Sequence, residues 1–408
     1  MKLEIPKGLE GKMILGTDQL VWTNAMTPFI EEFCYNAVNT PMISLAHRPG
    51  AWPGSVEQRR ITSSFFTTFL AKKLAGEESE KLTAWDWHRA LGRYSYLIPT
   101  AAKKIQVSCN VKSVMSFSFG LGHGWSFCED THHLVYLLDW PDYFPFGKNQ
   151  PTWQEKLFSR YLERWSLKSL LKANQIIYAS PEIKERVEKR AAELLPDLSI
   201  DKKRQSERLL EQAKILIPGL KTKEFPAMTS PIFKYDYWVI HALHLSHEQA
   251  SQLAQIMEEL GHKFIFVGED RHLSSLKQKL GERLFFGDRC AGELAPLLAG
   301  SRAVIDFQKA GHPQMALQSM AAGRPVVIGN GVQKDHALNL SSSILPQEGT
   351  HQLGQMNKDA LEQLWQKLAP EAGGFLNGKA LRQKVLIYDE DQVSLHWNQL
   401  WTELYGQL

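Results

Sequence analysis

The sequence predicts two α/β domains, each with a parallel sheet covered on both faces by helices. Three observations carry this. At 408 residues the chain exceeds what one ordinary core holds and suits two domains. Apolar runs rich in Val, Ile and Phe alternate with amphipathic segments, the pattern of strands buried on both faces and joined by helical crossovers. The alternation breaks at "LKTKEFPAMTSP" (220–231), which has no periodicity and ends in proline, as a linker does. The expected layout is a first domain over 1–219, the linker 220–231, a second domain over 232–375, and terminal helices over 376–408 packing back on the first.

In the first half, "KMILG" (12–16) and "PMISLAH" (41–47) read as buried strands on either side of a helix around "TPFIEEFCYNAVN". Residues 60–95 read as helical, and "KSVMSFSFG" and "HLVYLLDW" as further strands. A long helix starts near Pro151, and "QIIYAS" is the next strand. "SPEIKERVEKRAAELL" opens with Ser180 as N-cap and Pro181 at the first helical position, and "AKILIPG" (213–219) closes the half. In the second half the strands are "YWVIHAL", "KFIFVG", "RLFFG", "RAVIDF" and "PVVIG". "SHEQASQLAQIMEELG", "HLSSLKQKLG" and "AGELAPLLAGS" are helices between them. The tail adds "DALEQLWQKLA" and "QVSLHWNQLWTELYGQL", in which Trp397, Leu400, Trp401 and Tyr405 recur at helical spacing as packing residues.

Composition narrows the class. With 43% hydrophobic and 22% charged residues and no low-complexity tract, this is an ordinary globular chain. A net charge of +3 gives no global pull toward nucleic acid, and no nucleic-acid partner is expected. "MKLEIPKGLEGKMILG" lacks the apolar core of a signal peptide and no later run reaches bilayer-spanning length, so a cytoplasmic protein is expected. Cys34, Cys109, Cys128 and Cys290 lie far apart without metal-ligand spacing and read as buried reduced thiols.

The most informative stretch is "GHPQMALQSMAAGRPVV" (311–327). A loop leaving the strand "AVIDF" turns at Gly311, and Pro313 suits the first helical turn. The N–H groups at 311–315 would then offer the positive end of a helix to an anion. Gly323 permits the left-handed residue that ends the helix before Pro325. In this order, "FIFVGED", "RLFFGDRCAGELAPLLAGSRAVIDF" and "GHPQMALQSMAAGRPVV" resemble the C-terminal domain of glycosyltransferases of the two-Rossmann (GT-B) type, nearest the retaining family 4. The resemblance covers 235–345; over 1–220 it rests on strand order and the phrase "IIYASPEIKERV". It implies two Rossmann-like domains facing across a cleft, with a nucleotide-sugar donor in the second and an acceptor in the first. It also implies retention of anomeric configuration and no bound cofactor or metal.

The charges that the family uses at the donor have changed. Two glutamates usually flank the signature helix, and the alignment here gives Ala310 and Gln318. An arginine and a lysine usually follow the first strand of the domain, where this chain has Ala242 and Gln249. In their place His241, His244 and His247 crowd one loop, and Lys309, His312 and Arg324 surround the signature helix. Imidazolium or ammonium groups together with backbone N–H donors can stabilise a diphosphate leaving group. The donor-binding set read from the sequence is His241, His244, Gly311, His312, Gln314 and Gln318, with the glycine-ended strand at Val267–Gly268. Two readings stay open: a rebuilt donor site, or a non-catalytic GT-B protein acting as a binding or scaffold partner.

In the first half, strand ends supply the acceptor side: Gly16 and Asp18 after the first strand, His47 and Arg48 after the second. His123 in "FGLGHGW" and Asp139 in "YLLDWPDYF" follow later strands and, with Lys309, are the catalytic candidates. "FGLGHG" lacks the full dinucleotide fingerprint. Segment 153–172 repeats Lys156, Arg160, Arg164, Lys168 and Lys172 every four residues, beside Trp153, Leu157, Tyr161 and Trp165. It reads either as a helix docked on an anionic membrane or as one whose basic face meets solvent and whose aromatics enter the core. The expected function is sugar transfer from a nucleotide sugar to a glycan or lipid-linked acceptor in envelope or surface polysaccharide assembly. The expected place is the cytoplasm, including the inner face of the plasma membrane.

Overall fold

Strands without a polar face are stable only where helices cover both sides of the sheet. The computed structural model of the chain shows that arrangement twice. It describes residues 12–20, 40–47, 61–74, 93–140, 153–225, 233, 235–242, 245, 247–268, 273, 276–278, 285–287, 291–307, 314–329, 345–347, 349–354, 356–368 and 378–405. The chain divides into one unit of Met1–Pro218 with Val393–Leu408 and a second of Gly219–Gln392.

The first unit contains β1 (Met13–Leu20), β2 (Met42–His47), β3 (Ile61–Ser63), β4 (Ser113–Ser118), β5 (His132–Leu137), β6 (Gln175–Tyr178) and β7 (Lys214–Ile215). They form one sheet in the order β3-β2-β1-β4-β5-β6-β7, with every pair parallel. The first strand thus lies inside the sheet, which grows one way from β1 and then the other way from β4. Such a reversal is where open α/β sheets bind ligands, at the carboxyl ends of the strands. The whole of β4 is buried, and Val135, Tyr136, Ile176, Ile177 and Val187 lie in the core around it.

Its helices include α1 (Phe65–Leu74), α2 (Ile98–Lys104), α3 (Trp153–Leu170), α4 (Pro181–Leu194) and α5 (Ile200–Glu211). At the start of α4 the Ser180 backbone is extended and its Oγ accepts the Ile183 N–H at 3.2 Å, with Pro181 following, as the sequence predicts. Residues 60–95 do not form the continuous helix expected. Ile61–Ser63 pair with β2 as an edge strand, and α1 begins only after Ser64, whose Oγ accepts the Phe66 N–H at 3.1 Å. Two β-branched residues at a free edge compete well for strand geometry there.

The reduced-thiol reading is also corrected for one pair. Cys109 and Cys128 form a disulfide, with Cα atoms 5.4 Å apart. The connection from β4 to β5 is an extended strap rather than a helix. It brings Cys128 back beside Cys109, and Val107 N–H donates to Ser126 O at 2.9 Å along the way. Cys34, Cys290, the helix around "TPFIEEFCYNAVN" and most of "HLSSLKQKLG" lie outside the described residues.

In the second unit the elements are β8 (Trp238–His241), α6 (His247–Glu259), β9 (Phe264–Gly268), β10 (Phe285–Gly287), α7 (Ala291–Gly300), β11 (Ala303–Asp306), α8 (Gln314–Ala321), β12 (Val326–Gly329), β13 (Thr350–Leu353), α9 (Lys358–Lys367) and α10 (Gly378–Val385). The sheet runs β10-β9-β8-β11-β12-β13, all parallel, over a core that includes Trp238, Ile240, Leu253, Phe266, Ile305 and Val327.

The end of α8 shows why Gly323 is needed. Its φ is 79°; its N–H donates to Met320 O at 3.0 Å and the next N–H, of Arg324, to Ser319 O at 2.9 Å. This paired closure of the last turn requires a left-handed residue. A Cβ there would also sit 3.0 Å from the Gly378 Cα, at the start of α10.

Part of the segment read as a linker belongs to this unit. Thr222–Glu224 form a short 3-10 turn, Thr222 Oγ1 donates to Asp389, and Arg382 donates to Thr222 O at 2.9 Å and Ala321 O at 2.8 Å. Finally, α11 (Glu390–Tyr405) carries the chain into the first unit. There Trp397 and Leu400 are buried, and the Trp397 ring meets Tyr136 edge-on with centroids 5.2 Å apart. The return expected over 376–408 therefore begins at Val393, since α10 stays with the second unit. The side chains of Trp401 and Tyr405 lie outside the described set.

Candidate functional site

The reversal point of the second sheet falls between β8 and β11. His241 and Asp306, the last residues of these strands, stand opposite each other in register. Both are buried, and His241 Nδ1 lies 2.9 Å from Asp306 Oδ1. A carboxylate can only accept, so Nδ1 donates, and the contact fixes both the orientation of the ring and the nitrogen that carries this proton.

Because α8 connects β11 to β12, its amino end lies at the same carboxyl edge of the sheet. There Gln314 and Gln318 are half-buried, while Met315, Ala316 and Leu317 enter the core. The first N–H groups of such a helix have no partner within it and carry its positive pole. Neighbouring strands end in glycine at Gly268, Gly287 and Gly329. At Gly329 a Cβ would come within 2.3 Å of the Phe307 ring, so that strand end admits no side chain.

Arg324 does not belong to this edge. It follows α8 and precedes β12, at the amino edge of the sheet, where its Nε donates to Ala299 O at 2.6 Å and burial lowers its pKa. Its expected part in anion binding is therefore corrected. Ala242 is buried and Gln249 half-buried, so neither position supplies a charge. His244, Lys309, Ala310, Gly311 and His312, and the side chain of His247, lie outside the described residues.

In the first unit the glycine-rich loop after β4 closes over β1 at its own reversal point. Asp18 Oδ1 accepts the Phe119 N–H at 3.0 Å and Oδ2 the Leu121 N–H at 2.7 Å. Burial pushes the Asp18 carboxyl up to about 6, although the loop N–H donors pull it down. Gly122 lies so close that a Cβ would fall 2.4 Å from the Asp18 backbone N.

His123 closes the loop from the other side. Its Nε2 lies 2.9 Å from Ser166 O on α3, and its Nδ1 2.7 Å from Ser118 Oγ. The carbonyl only accepts, so Nε2 carries the hydrogen and Nδ1 accepts from the Ser118 hydroxyl. That hydroxyl in turn accepts the Gly120 N–H at 3.1 Å. Burial lowers His123 to about 4, leaving it neutral at pH 7. Both nitrogens of this catalytic candidate hold the loop in place.

Gly16 is not at a strand end. It pairs with Ile43 and Ser116 in mid-strand, and a Cβ there would lie 2.7 Å from Trp125 Nε1. Its lack of a side chain makes room for the strap. His47 does end β2, with its N–H donating to Thr67 Oγ1 at 3.0 Å. Asp139 lies just beyond β5, half-buried, and its Oδ1 accepts the Trp140 N–H at 2.7 Å. Arg48 lies outside the described residues.

The structure thus joins Asp18 and His123 through one loop and pairs His241 with Asp306, which the sequence reading missed. The available signal was an acid closing the apolar run "AVIDF", just as His241 closes "WVIH". Among the described residues, no group of three or more His, Cys, Asp or Glu is placed to hold a metal ion, and no helix is long and apolar enough to cross a membrane.

No family model matches the chain, and no curated relative matches it. Solved structures do. Anabaena Alr3699/HepE, in complex with UDP and glucose, superposes over 97% of this chain and 100% of its own with a TM-score of 0.57 at 12% identity. A glycosyltransferase from Rickettsia africae covers 97% and 99% with a TM-score of 0.52 at 14% identity. The α,α-trehalose 6-phosphate synthase of Burkholderia multivorans covers 97% and 98% with a TM-score of 0.52 at 8% identity. The fold is therefore the one shared by two-Rossmann, GT-B glycosyltransferases.

Proposed function

We propose that this chain transfers a glycosyl group from a nucleoside-diphosphate sugar, bound by the second unit, to a hydroxyl of a glycan or lipid-linked acceptor served by the first. The observation that carries the reading is the buried His241–Asp306 pair at the reversal point, on the same edge as the start of α8. Asp306 is the positioning residue. The His241 ring and the N–H groups opening α8 meet the diphosphate oxygens, with Lys309 and His312, and Gln318 meets a ribose hydroxyl. The bond from the anomeric carbon to the diphosphate oxygen breaks and one to the acceptor oxygen forms. The acceptor proton leaves with the diphosphate.

On the acceptor side, Asp139 and His47 are the substrate-facing groups of this proposal, while Asp18 and His123 hold the glycine loop. Retention of configuration and a place in envelope polysaccharide assembly complete it. Their support is the resemblance of residues 235–345 to family 4. HepE was crystallised with UDP and with UDP-glucose, so uridine nucleotides are the first donors to try.

Calorimetric titration of UDP, GDP, ADP and their sugars tests the reading. One of them binds more tightly than millimolar, and His241→Ala weakens that binding about tenfold or more, as expected for loss of a charge-assisted hydrogen bond. Asp306→Asn weakens it less, because the ring stays but its orientation relaxes. Millimolar or weaker binding of every nucleotide refutes the donor site and leaves a non-catalytic protein.

A further inference from the structure

The sequence leaves the aromatic side of α3 open between the core and a membrane, and the structure divides it: Trp165 is half-buried with its ring against Gly124, while the apolar side chains before it lie outside the core. Trp153, Leu157, Phe158 and Tyr161 are 72%, 59%, 50% and 54% exposed. Single exposed hydrophobics are ordinary on a protein surface, but four in the first turns of one helix form a patch. Tyr96 extends it beyond α3: it is 44% exposed, and its ring centroid lies 5.9 Å from that of Phe158. Burial is confined to the other side of the helix, through Leu162, Ser166, Leu167 and Leu170.

Among the described side chains, the charge on the same side is of one sign. Arg160, Arg164 and Lys168 are exposed and step by four residues, as Trp153, Leu157 and Tyr161 do. At a helical pitch of about 3.6 residues, the two rows run side by side, with the rings toward the amino end and the cations toward the carboxyl end. Glu163 does not dilute this charge, because Arg190 on α4 holds its carboxylate through Nε and Nη2, both at 2.7 Å.

We propose that this face docks the protein on an anionic lipid surface. Indole and phenol rings with long basic side chains match the boundary between headgroups and acyl chains. The rings sit at headgroup depth, and the guanidinium and ammonium groups reach lipid phosphates. The inference rests on exposure and charge alone and stands apart from the sugar-transfer reading. The same helix holds His123 through the Ser166 carbonyl, so the docking face and the glycine loop share one rigid element.

The full chain is sedimented with vesicles of phosphatidylcholine, or of phosphatidylcholine with one-third phosphatidylglycerol, at low and high salt. It should sediment with the anionic vesicles alone and be released by salt. The variant Arg160→Gln/Arg164→Gln/Lys168→Gln should weaken partitioning on the order of a hundredfold. Trp153→Ala/Tyr161→Ala should weaken it on the order of tenfold or more. All five side chains are exposed, so unchanged thermal melts are expected and confirm that each variant folds. Absence of sedimentation with either vesicle overturns the proposal, as does equal binding by the wild type and both variants. A dimer in solution that Trp153→Ala/Tyr161→Ala dissolves overturns it in favour of a second copy as the occupant.

Discussion

Lowering the pH from 7 to 5 should loosen the first unit through two buried imidazoles. Burial lowers His123 to about 4. Burial, with the charges of His123 and His132, lowers His133 to about 3. A histidine depressed in the folded state contributes stability above its unfolded value near 6.5, and that stability is lost as pH falls below it. Between pH 7 and 5 each imidazole forfeits about 2 kcal/mol. Asp18 acts in the opposite sense. Its folded value is raised to about 6, so protonating it as pH falls toward 5 returns about 1 kcal/mol. The sum is a loss of about 2 to 3 kcal/mol.

Urea unfolding at pH 7 and pH 5, at constant ionic strength, reads this loss directly. His133→Gln removes one titration while offering Ser116 Oγ, 2.9 Å from the His133 Nε2, an amide in place of the ring. Its loss between the two pH values should shrink to below about 1 kcal/mol, whereas Asp18→Asn should lose about 4. An equal loss in the wild type and His133→Gln, or no loss in the wild type, refutes the assignment of these two imidazoles as buried and neutral.

Two further predictions concern the scaffold. Gly323→Ala forces a Cβ into a φ of 79° and to 3.0 Å from the Gly378 backbone. It should cost about 1 to 2 kcal/mol, seen as a melting temperature lower by several degrees; an unchanged melt would contradict the close approach of α8 to α10. Replacing Cys109 and Cys128 together by serine opens a loop closed over a sequence separation of 19. That should remove about 3 kcal/mol under oxidising conditions and nothing under reducing ones, while a thiol count of the unfolded wild type that does not rise on reduction would show the pair unjoined.

The fold was legible because strands buried on both faces must be written as continuous apolar runs. "RAVIDF" and "PVVIG" could hardly be anything else, and the Ser180–Pro181 cap marked a helix start by local chemistry alone. Elements at the sheet edges carry no such mark. Ile61–Ser63 is largely exposed and Thr350–Leu353 buries only its last residue, so no periodicity announces them. The Cys109–Cys128 pairing and the exposed rings of α3 were illegible for a related reason. Periodicity shows that a face is apolar but not what covers it, and spacing does not show which loop returns to which edge.

The site follows the same division. His241 was visible as a polar end to an apolar strand, whereas its partner lies 65 residues away and meets it only through the strand order. That order puts a buried acid at the reversal point of each sheet, and the partners of the two acids separate scaffold from candidate site. Asp18 accepts from backbone N–H groups of its own glycine loop, so ligand binding there would require the loop to release it. Asp306 holds a side chain, at an edge where a helix begins and adjacent strands end in glycine. An imidazole steered by one acid can still meet an anion, and a loop pinned by another cannot. This difference in partner, more than the missing family charges, makes the second reversal point the one to test first.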